Sequence, residues 1–150
     1  MSYFNVRVYG LLINKKEEVL VSDEEEYGFR FSKFPGGGLE FGEGLIDGLK
    51  REFMEECNAE IDVVSHFYTT DFFEKSSFND SQVISVYYLV KEKAPLQLAF
   101  KTKIFDFDSK GEVLQAFRWV AVKDLDINEI TFKTDKTVVT LLKATVHSPI

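Results

Sequence analysis

Residues 37–59 read GGLEFGEGLIDGLKREFMEECNA and join a glycine-rich turn to the clearest helical pattern in the chain. Apolar residues recur there at spacings of three and four, which predicts a helix over residues 44–57 with one buried face. That face comprises Leu45, Ile46, Leu49, Phe53 and Cys57. The three glycines at 36–38 interrupt an alternating pattern and predict a turn before the helix.

Three glutamates share another side of this predicted helix. Because each residue advances the helix by about 100°, Glu52 lies between Glu55 and Glu56 on an arc of about 100°. Each pair of these charges would repel by roughly 3 kcal/mol at an effective dielectric of about 20. The helix dipole also disfavours anions in the last turn. A solvated acidic face is one interpretation, and a cation site is the other.

Gly48 favours the cation site. It lies one turn before Glu52 on the same arc, where glycine costs about 1 kcal/mol relative to alanine. We expect the missing side chain to leave room for a hard cation with oxygen ligands. Backbone carbonyls of the turn at 36–38 are further candidate ligands.

The same segment resembles the Nudix box, which reads Gly, five residues, Glu, seven residues, Arg-Glu, an aliphatic, any residue, Glu-Glu, any residue, Gly and an aliphatic. Six residues fall in register: Gly37, Glu43, Arg51, Glu52, Glu55 and Glu56. Phe53, Asn58 and Ala59 depart from the pattern, and none of them replaces a charged residue. Asn58 is expected to take the left-handed conformation that ends a helix.

The resemblance implies a fold and an activity. The fold is an α/β Nudix-like α/β/α sandwich, with a mixed β-sheet between helices, in a single domain over residues 1–150. The activity is Mg²⁺-dependent hydrolysis of a pyrophosphate bond in a nucleoside diphosphate linked to another group, with Mn²⁺ as a substitute. A metal held by carboxylates would neutralise the pyrophosphate and lower the pKa of a bound water.

The resemblance also assigns roles by position. Glu52, Glu55 and Glu56, with the Gly36 carbonyl, would bind or orient the metal. Glu52, Glu55 and Arg51 would be the catalytic residues, with one glutamate taking the proton from water. Gly37 and Glu43 would be structural, with Glu43 paired to Arg51.

Two other functions stay open. A catalytically silent Nudix-fold module that senses a nucleotide would be expected to lose box carboxylates, and a metal-binding structural domain would leave Gly48 unexplained. The chain lacks a proline between Pro35 and Pro95, and Ser81-Gln82 is followed by Val83. The motifs of related enzymes that cleave ADP-ribose or NADH are therefore absent, and ordinary, sugar and oxidised nucleotides all remain open as substrates.

The rest of the chain is mostly predicted β-structure. Alternating or β-branched patterns predict strands at 3–13 and 19–22, at Phe29 to Phe34, and at 61–73, 82–90, 96–107 and 116–122, with a last helix at 135–145. A helix inside mostly β sequence and another at its end indicate an α/β fold. The acidic run at 23–26 is interpreted as a solvated loop.

Several residues are weaker candidates. Glu112, in a polar stretch, could bring a further carboxylate to the metal or be a solvated loop acid. His66 and His147 with one cysteine make no convincing zinc set, and Cys57 is expected to be a buried small hydrophobe. A base could stack on an aromatic side chain, although core packing is the better explanation for each of the candidates, Tyr9, Phe29, Phe72 and Tyr88.

The composition and charge of the chain restrict the classes of partner that it is expected to bind. The chain has 150 residues, 45% of them hydrophobic, and a net charge of −7. This acidity argues against binding a nucleic-acid backbone through basic patches. No apolar run approaches the roughly 18 residues that cross a bilayer, and the start MSYFNVRVYG lacks a signal-peptide pattern. We therefore expect a cytoplasmic protein with a small-molecule partner and no nucleic acid or membrane partner, with a homodimer through 96–107 as an open alternative.

Overall fold

The computed structural model describes residues 2–147, with side chains described for residues 2–145. The described part contains eight strands and two helices, with a short 3-10 turn. In chain order they are β1 Phe4–Leu12, β2 Glu18–Glu26, β3 Phe29–Lys33, β4 Gly36–Gly38, α1 Leu45–Cys57, β5 Ile61–Thr69, β6 Gln82–Glu92, β7 Phe100–Lys101, β8 Val113–Ala121, the 3-10 turn Val122–Asp124 and α2 Lys133–His147. No helix among residues 2–147 is long and apolar enough to cross a membrane.

The chain divides into two compact units. Unit 1 comprises Met1–Leu12 with Pro35–Gln97, and unit 2 comprises Ile13–Phe34 with Leu98–Ile150. Each unit has its own mixed four-stranded sheet, so the strands are shared between two sheets rather than gathered in one.

The sheet of unit 1 has the order β4-β1-β6-β5. Strand β1 runs antiparallel to β4 and parallel to β6, and β5 runs antiparallel to β6. Helix α1 packs on β1 at Gly10, where an added Cβ would lie 2.5 Å from the Phe53 ring. The absence of a side chain at Gly10 therefore lets the helix approach the sheet.

The predicted helix at 44–57 is confirmed as α1. Leu49, Phe53 and Cys57 are buried as expected, but Ile46 is 44% exposed and Leu45 is half-buried. The predicted face was therefore too wide at its N-terminal end. Asn58 ends the helix in the left-handed conformation, with φ 48°, and its N–H donates to the Met54 carbonyl at 3.1 Å. The expectation for this departure from the Nudix pattern is confirmed.

The sheet of unit 2 has the order β3-β2-β8-β7. Strand β2 runs antiparallel to both β3 and β8, whereas β7 runs parallel to β8. Helix α2 buries Val138, Val139 and Leu142 in this unit. The helix begins two residues before the predicted 135 and extends past the predicted 145.

The acidic run at 23–26 was wrongly interpreted as a solvated loop, because it belongs to β2. Asp23 is fully buried, and its carboxylate accepts hydrogen bonds from Arg118 Nε at 2.7 Å and Ser32 Oγ at 2.6 Å. Glu24 lies 3.2 Å from Lys33 Nζ. The partners of these carboxylates lie on the neighbouring strands β3 and β8. The burial of Asp23 and Glu24 therefore could not be predicted from the acidic run alone.

The predicted strand at 96–107 was also too long, because only Phe100–Lys101 forms a strand. Phe105 has a positive φ of 56°, which breaks the extended pattern. The Arg30 guanidinium lies over the rings of Phe105 and Phe107, at 5.5 and 5.8 Å from their centroids. The apolar alternation there reflects contacts within a loop. Conversely, the predicted turn at 36–38 is strand β4.

We expect Arg118→Leu to lower the free energy of unfolding by about 3–5 kcal/mol, because Asp23 would stay buried without its cation. Urea denaturation measures this loss. Arg30→Leu is the matched control, because Arg30 Nε lies 2.8 Å from Glu25 but the Arg30 side chain is 55% exposed. The control should lose less than Arg118→Leu, because an exposed ion pair and exposed cation–π contacts each contribute about 1 kcal/mol or less. Equal losses in the two variants would contradict the assignment of Asp23 and Arg118 as a buried ion pair.

Candidate active site

Strand β4 forms the backbone wall of the candidate site in unit 1. It is an edge strand that pairs with β1, with Gly38 opposite Arg7 and Gly36 opposite Tyr9. Gly36 has a φ of +144°, and a Cβ there would lie 2.1 Å from the Val8 carbonyl oxygen. Only glycine fits this position.

The pair expected between Arg51 and Glu43 is present. Arg51 Nη2 donates to Glu43 Oε1 at 2.7 Å, and Arg51 Nε donates to Glu43 Oε2 at 3.0 Å. This two-point geometry is the stronger form of a guanidinium–carboxylate contact. Nη2 also donates to the Gly38 carbonyl at 3.0 Å. One side chain of α1 thereby fixes both the loop before the helix and the end of β4.

The remaining guanidinium nitrogen faces the other glutamates. Arg51 Nη1 lies 3.1 Å from Glu52 Oε1 and 3.1 Å from Glu55 Oε2. The Glu52 side chain is only 13% exposed, whereas the Glu55 side chain is 59% exposed. The helix geometry alone had suggested that these two carboxylates repel each other. The positive charge of Arg51 between them offsets that repulsion.

Two carboxylates of α1 reach the glycines of β4. Glu56 Oε2 accepts a hydrogen bond from the Gly36 N–H at 3.1 Å. A Cβ at Gly37 would lie 2.7 Å from the Glu52 carboxylate, so this glycine leaves the space that the carboxylate occupies. Glu52 and Glu56 therefore lie against the backbone of one strand.

The interpretation of Gly48 was wrong. A Cβ there would lie 2.8 Å from Leu39 Cδ1 and 2.9 Å from Glu43 Oε1. The space left by the missing side chain is filled by the loop that carries Glu43, so it holds no room for a cation. Gly48 thus serves the packing of Glu43 and its pairing with Arg51.

The donor set suits a hard cation. Glu52 and Glu56 supply carboxylate oxygens beside the Gly36–Gly37 backbone, and Mg²⁺ prefers oxygen ligands. Among residues 2–147, no three acidic, histidine or cysteine side chains already converge as a metal-ligand group. Glu55 instead contacts Arg51 on the exposed side.

Hydrogen bonding sets the charge state of the central pair. The bond from Arg51, followed by one from the Glu40 backbone, lowers the pKa of Glu43 from 4.5 to about 2. The same bond is the largest cause of the raised pKa of Arg51, with contacts to Glu52 adding to it. Both groups are therefore charged at neutral pH.

The weaker candidates are Glu112 and the two histidines. Glu112 belongs to unit 2, is exposed, and accepts a hydrogen bond from the Tyr27 N–H at its backbone carbonyl, so a metal role for it stays a prediction. His66 is an exposed residue of β5, with Nε2 2.8 Å from Thr69 Oγ1. The side chain of His147 lies outside the described residues.

The base-stacking candidates have structural neighbours. Tyr9 is buried and stacks on Tyr87 with ring centroids 5.3 Å apart. Tyr88 meets His66 edge-on at 5.8 Å. Phe29 lies 5.4 Å from Phe31 and is 40% exposed. Core packing is therefore confirmed for Tyr9, whereas Phe29 is exposed and Tyr88 and Phe72 are half-buried.

The Gly38 carbonyl was a candidate cation ligand, and the structure places it 3.0 Å from Arg51 Nη2. The sequence reasoning missed one residue beside the site. Arg7 lies opposite Gly38 on β1. The sequence feature that could have identified Arg7 is its isolated charge within an otherwise apolar strand.

Comparisons with known proteins identify the family. A model of the NUDIX domain family matches residues 4–141. The chain belongs to the Nudix family. No match was found among curated proteins.

Solved structures support the Nudix fold. The Escherichia coli ORF135 protein has a TM-score of 0.72 at 17% identity, over 98% of this chain and 93% of that one. A MutT protein from Methanosarcina mazei Go1 has a TM-score of 0.70 at 17% identity, over 98% and 97%. An ADP-ribose pyrophosphatase from Streptococcus suis 89-1591 has a TM-score of 0.63 at 15% identity, over 97% and 94%. The predicted Nudix-like α/β fold class, with mixed sheets and two helices, is confirmed.

The lowered pKa of Glu43 makes the Arg51 pair pH-dependent. Its contribution to stability is present above the ordinary carboxyl pKa of 4.5 and is lost as pH falls toward about 2. We therefore expect the stability difference between wild type and Arg51→Met to shrink over that range. Urea unfolding at a series of pH values measures it. In a Glu43→Gln background, the stability difference caused by Arg51→Met should no longer change with pH. If that difference is already independent of pH when Glu43 is present, the role of this pair is refuted.

Proposed function

We propose that this Nudix chain is a Mg²⁺-dependent pyrophosphohydrolase that acts on a nucleoside diphosphate linked to another group. It would release a phosphomonoester on each side of the broken bond. The observation that carries this proposal is the placement of Glu52 and Glu56 against the glycine strand β4, with Glu55 beside them on Arg51. Every charged residue of the Nudix box is present in this chain.

The proposed metal ligands are the carboxylates of Glu52, Glu55 and Glu56 with the Gly36 carbonyl. Mg²⁺, or Mn²⁺ in its place, supplies charge neutralisation of the pyrophosphate and a bound water of lowered pKa. The Gly36 N–H holds the Glu56 carboxylate in place at 3.1 Å. Because Gly37 has no side chain, the Glu52 carboxylate can lie directly against the backbone of β4.

Proton transfer is proposed for the glutamates that contact Arg51. Glu52 is mostly enclosed, whereas the Glu55 side chain is 59% exposed and has access to water. Glu55 can therefore accept a proton from the attacking water, while Arg51 Nη1 contacts both carboxylates and orients them. Glu43 acts on the reaction through Arg51, which it orients with two hydrogen bonds.

The substrate class is best tested with a panel. The solved structures of this fold include an ADP-ribose pyrophosphatase and a UDP-X diphosphatase. ADP-ribose, UDP-sugars, nucleoside triphosphates and oxidised nucleotides would be incubated with Mg²⁺. Inorganic phosphate would be measured after a phosphatase step for the diphosphate esters and after a pyrophosphatase step for the triphosphates. Binding without turnover across the panel would favour a nucleotide-sensing module instead.

We expect Glu56→Gln to lower turnover by at least roughly 100-fold, because it removes a proposed ligand charge. The fold should persist, since a glutamine oxygen can still accept from the Gly36 N–H. The variant should melt at the same or a higher temperature without Mg²⁺, and should gain less when Mg²⁺ is added. Phosphate release and thermal melting measure these effects.

Glu60→Gln is the control for this variant. Glu60 is exposed, belongs to the same unit and loses the same charge. It should keep wild-type turnover and the wild-type response to Mg²⁺. Full Mg²⁺-dependent activity in Glu56→Gln would refute the proposed site.

A further inference from the structure

An arginine lies on the other side of the glycine strand from the carboxylates. Arg7 is opposite Gly38 in the pairing of β1 with β4. Its Nη1 would lie only 3.7 Å from a Cβ at Gly38. Side chains alternate between the two faces of a strand, so Arg7 and Tyr9 point away from the face on which Gly10 meets α1. The half-buried Arg7 therefore flanks β4 opposite to Glu52 and Glu56.

Tyr9 holds this arginine in place. Arg7 Nε donates to the Tyr9 hydroxyl at 2.5 Å, and its guanidinium carbon lies 5.7 Å from the centroid of the Tyr9 ring. Tyr9 is itself buried and stacked on Tyr87. A guanidinium fixed in this way loses little conformational entropy when it binds a ligand.

The charges of the site favour a role for Arg7 in binding an anionic substrate. Arg51 directs its donors to the carboxylates of Glu43, Glu52 and Glu55 and to a backbone carbonyl, all within the protein. A diphosphate brings several negative oxygens, which the surrounding glutamates would repel. A planar guanidinium matches phosphate oxygens with two parallel donors. Arg7 is placed to meet such oxygens at the edge strand.

We propose that Arg7 binds a non-bridging phosphate oxygen of the substrate, across β4 from the metal-binding glutamates, and that Tyr9 is its positioning residue. This rests on the proposed function and adds a substrate-binding residue to it. The diphosphate would then contact Arg7 on one side of β4, while Glu52 and Glu56 would hold the metal on the other. The contact is to phosphate, so it is independent of the base.

The test measures binding by titration calorimetry in the presence of Mg²⁺. The probes are imidodiphosphate and the α,β-methylene diphosphates of adenosine, guanosine, cytidine and uridine, in which the bridging atom resists hydrolysis. Arg7→Ala should weaken every probe that binds the wild type by roughly 10- to 100-fold, the usual effect of losing a charged hydrogen bond. Arg7→Lys should retain part of the affinity, because lysine keeps the positive charge but lacks the two parallel N–H donors of the guanidinium.

Two further variants separate binding from structure. Tyr9→Phe should give a smaller loss, because it frees the guanidinium without removing it. Lys91→Ala is the control, since Lys91 is exposed on β6 six residues beyond Ser85, the partner of Arg7, or roughly 20 Å along the strand. It should bind like wild type. On the substrate found with the panel, Arg7→Ala should raise KM with kcat nearly unchanged.

The outcomes distinguish this inference from the proposed function. If wild type hydrolyses a panel substrate and Arg7→Ala and Arg7→Lys both bind the probes as tightly as wild type, the assignment of Arg7 is overturned and the hydrolase stands. A loss confined to one base would also overturn it, because Arg7 would then contact the base. If wild type neither hydrolyses the panel nor binds any probe, the proposed function fails and this inference fails with it. Should Arg7→Ala not fold, Arg7→Lys alone decides by the same criteria.

Discussion

The Arg51 guanidinium is the contact on which the candidate site depends. It binds Glu43 in the loop before α1, Glu52 and Glu55 on the helix, and the carbonyl of Gly38 at the end of β4. Arginine alone among side chains offers five donors in a fixed plane. A single residue can therefore join three segments and offset the charge of several glutamates. Lysine would supply the charge without this geometry.

The glycines complete this arrangement by letting backbone and carboxylates meet. Gly37 admits the Glu52 carboxylate, Gly48 admits Glu43 and Leu39, and Gly10 admits Phe53. Each glycine removes bulk at a point where α1 or its preceding loop meets a neighbour. The result is an acidic helix held close to a strand that has no side chains of its own.

Much of this could be predicted from local patterns, and the rest depended on distant partners. The helix and its Asn58 ending follow from spacing and backbone preference. The burial of Asp23 could not be predicted, because Arg118 lies 95 residues away in sequence. Gly48 was misjudged for a related reason, since the side chain that fills its space comes from the preceding loop. The charged box residues were identifiable by their match to the Nudix pattern, whereas the position of Arg7 opposite Gly38 depends on strand register.

The central claim is that the carboxylates of α1 hold a divalent cation against β4. A crystal structure of the protein soaked with Mn²⁺, read by anomalous scattering, tests it most directly. The claim predicts an anomalous peak bonded to carboxylate oxygens of Glu52 and Glu56, and its loss in Glu56→Gln crystals. A peak that contacts neither Glu52 nor Glu56, or an unchanged peak in Glu56→Gln, would contradict it.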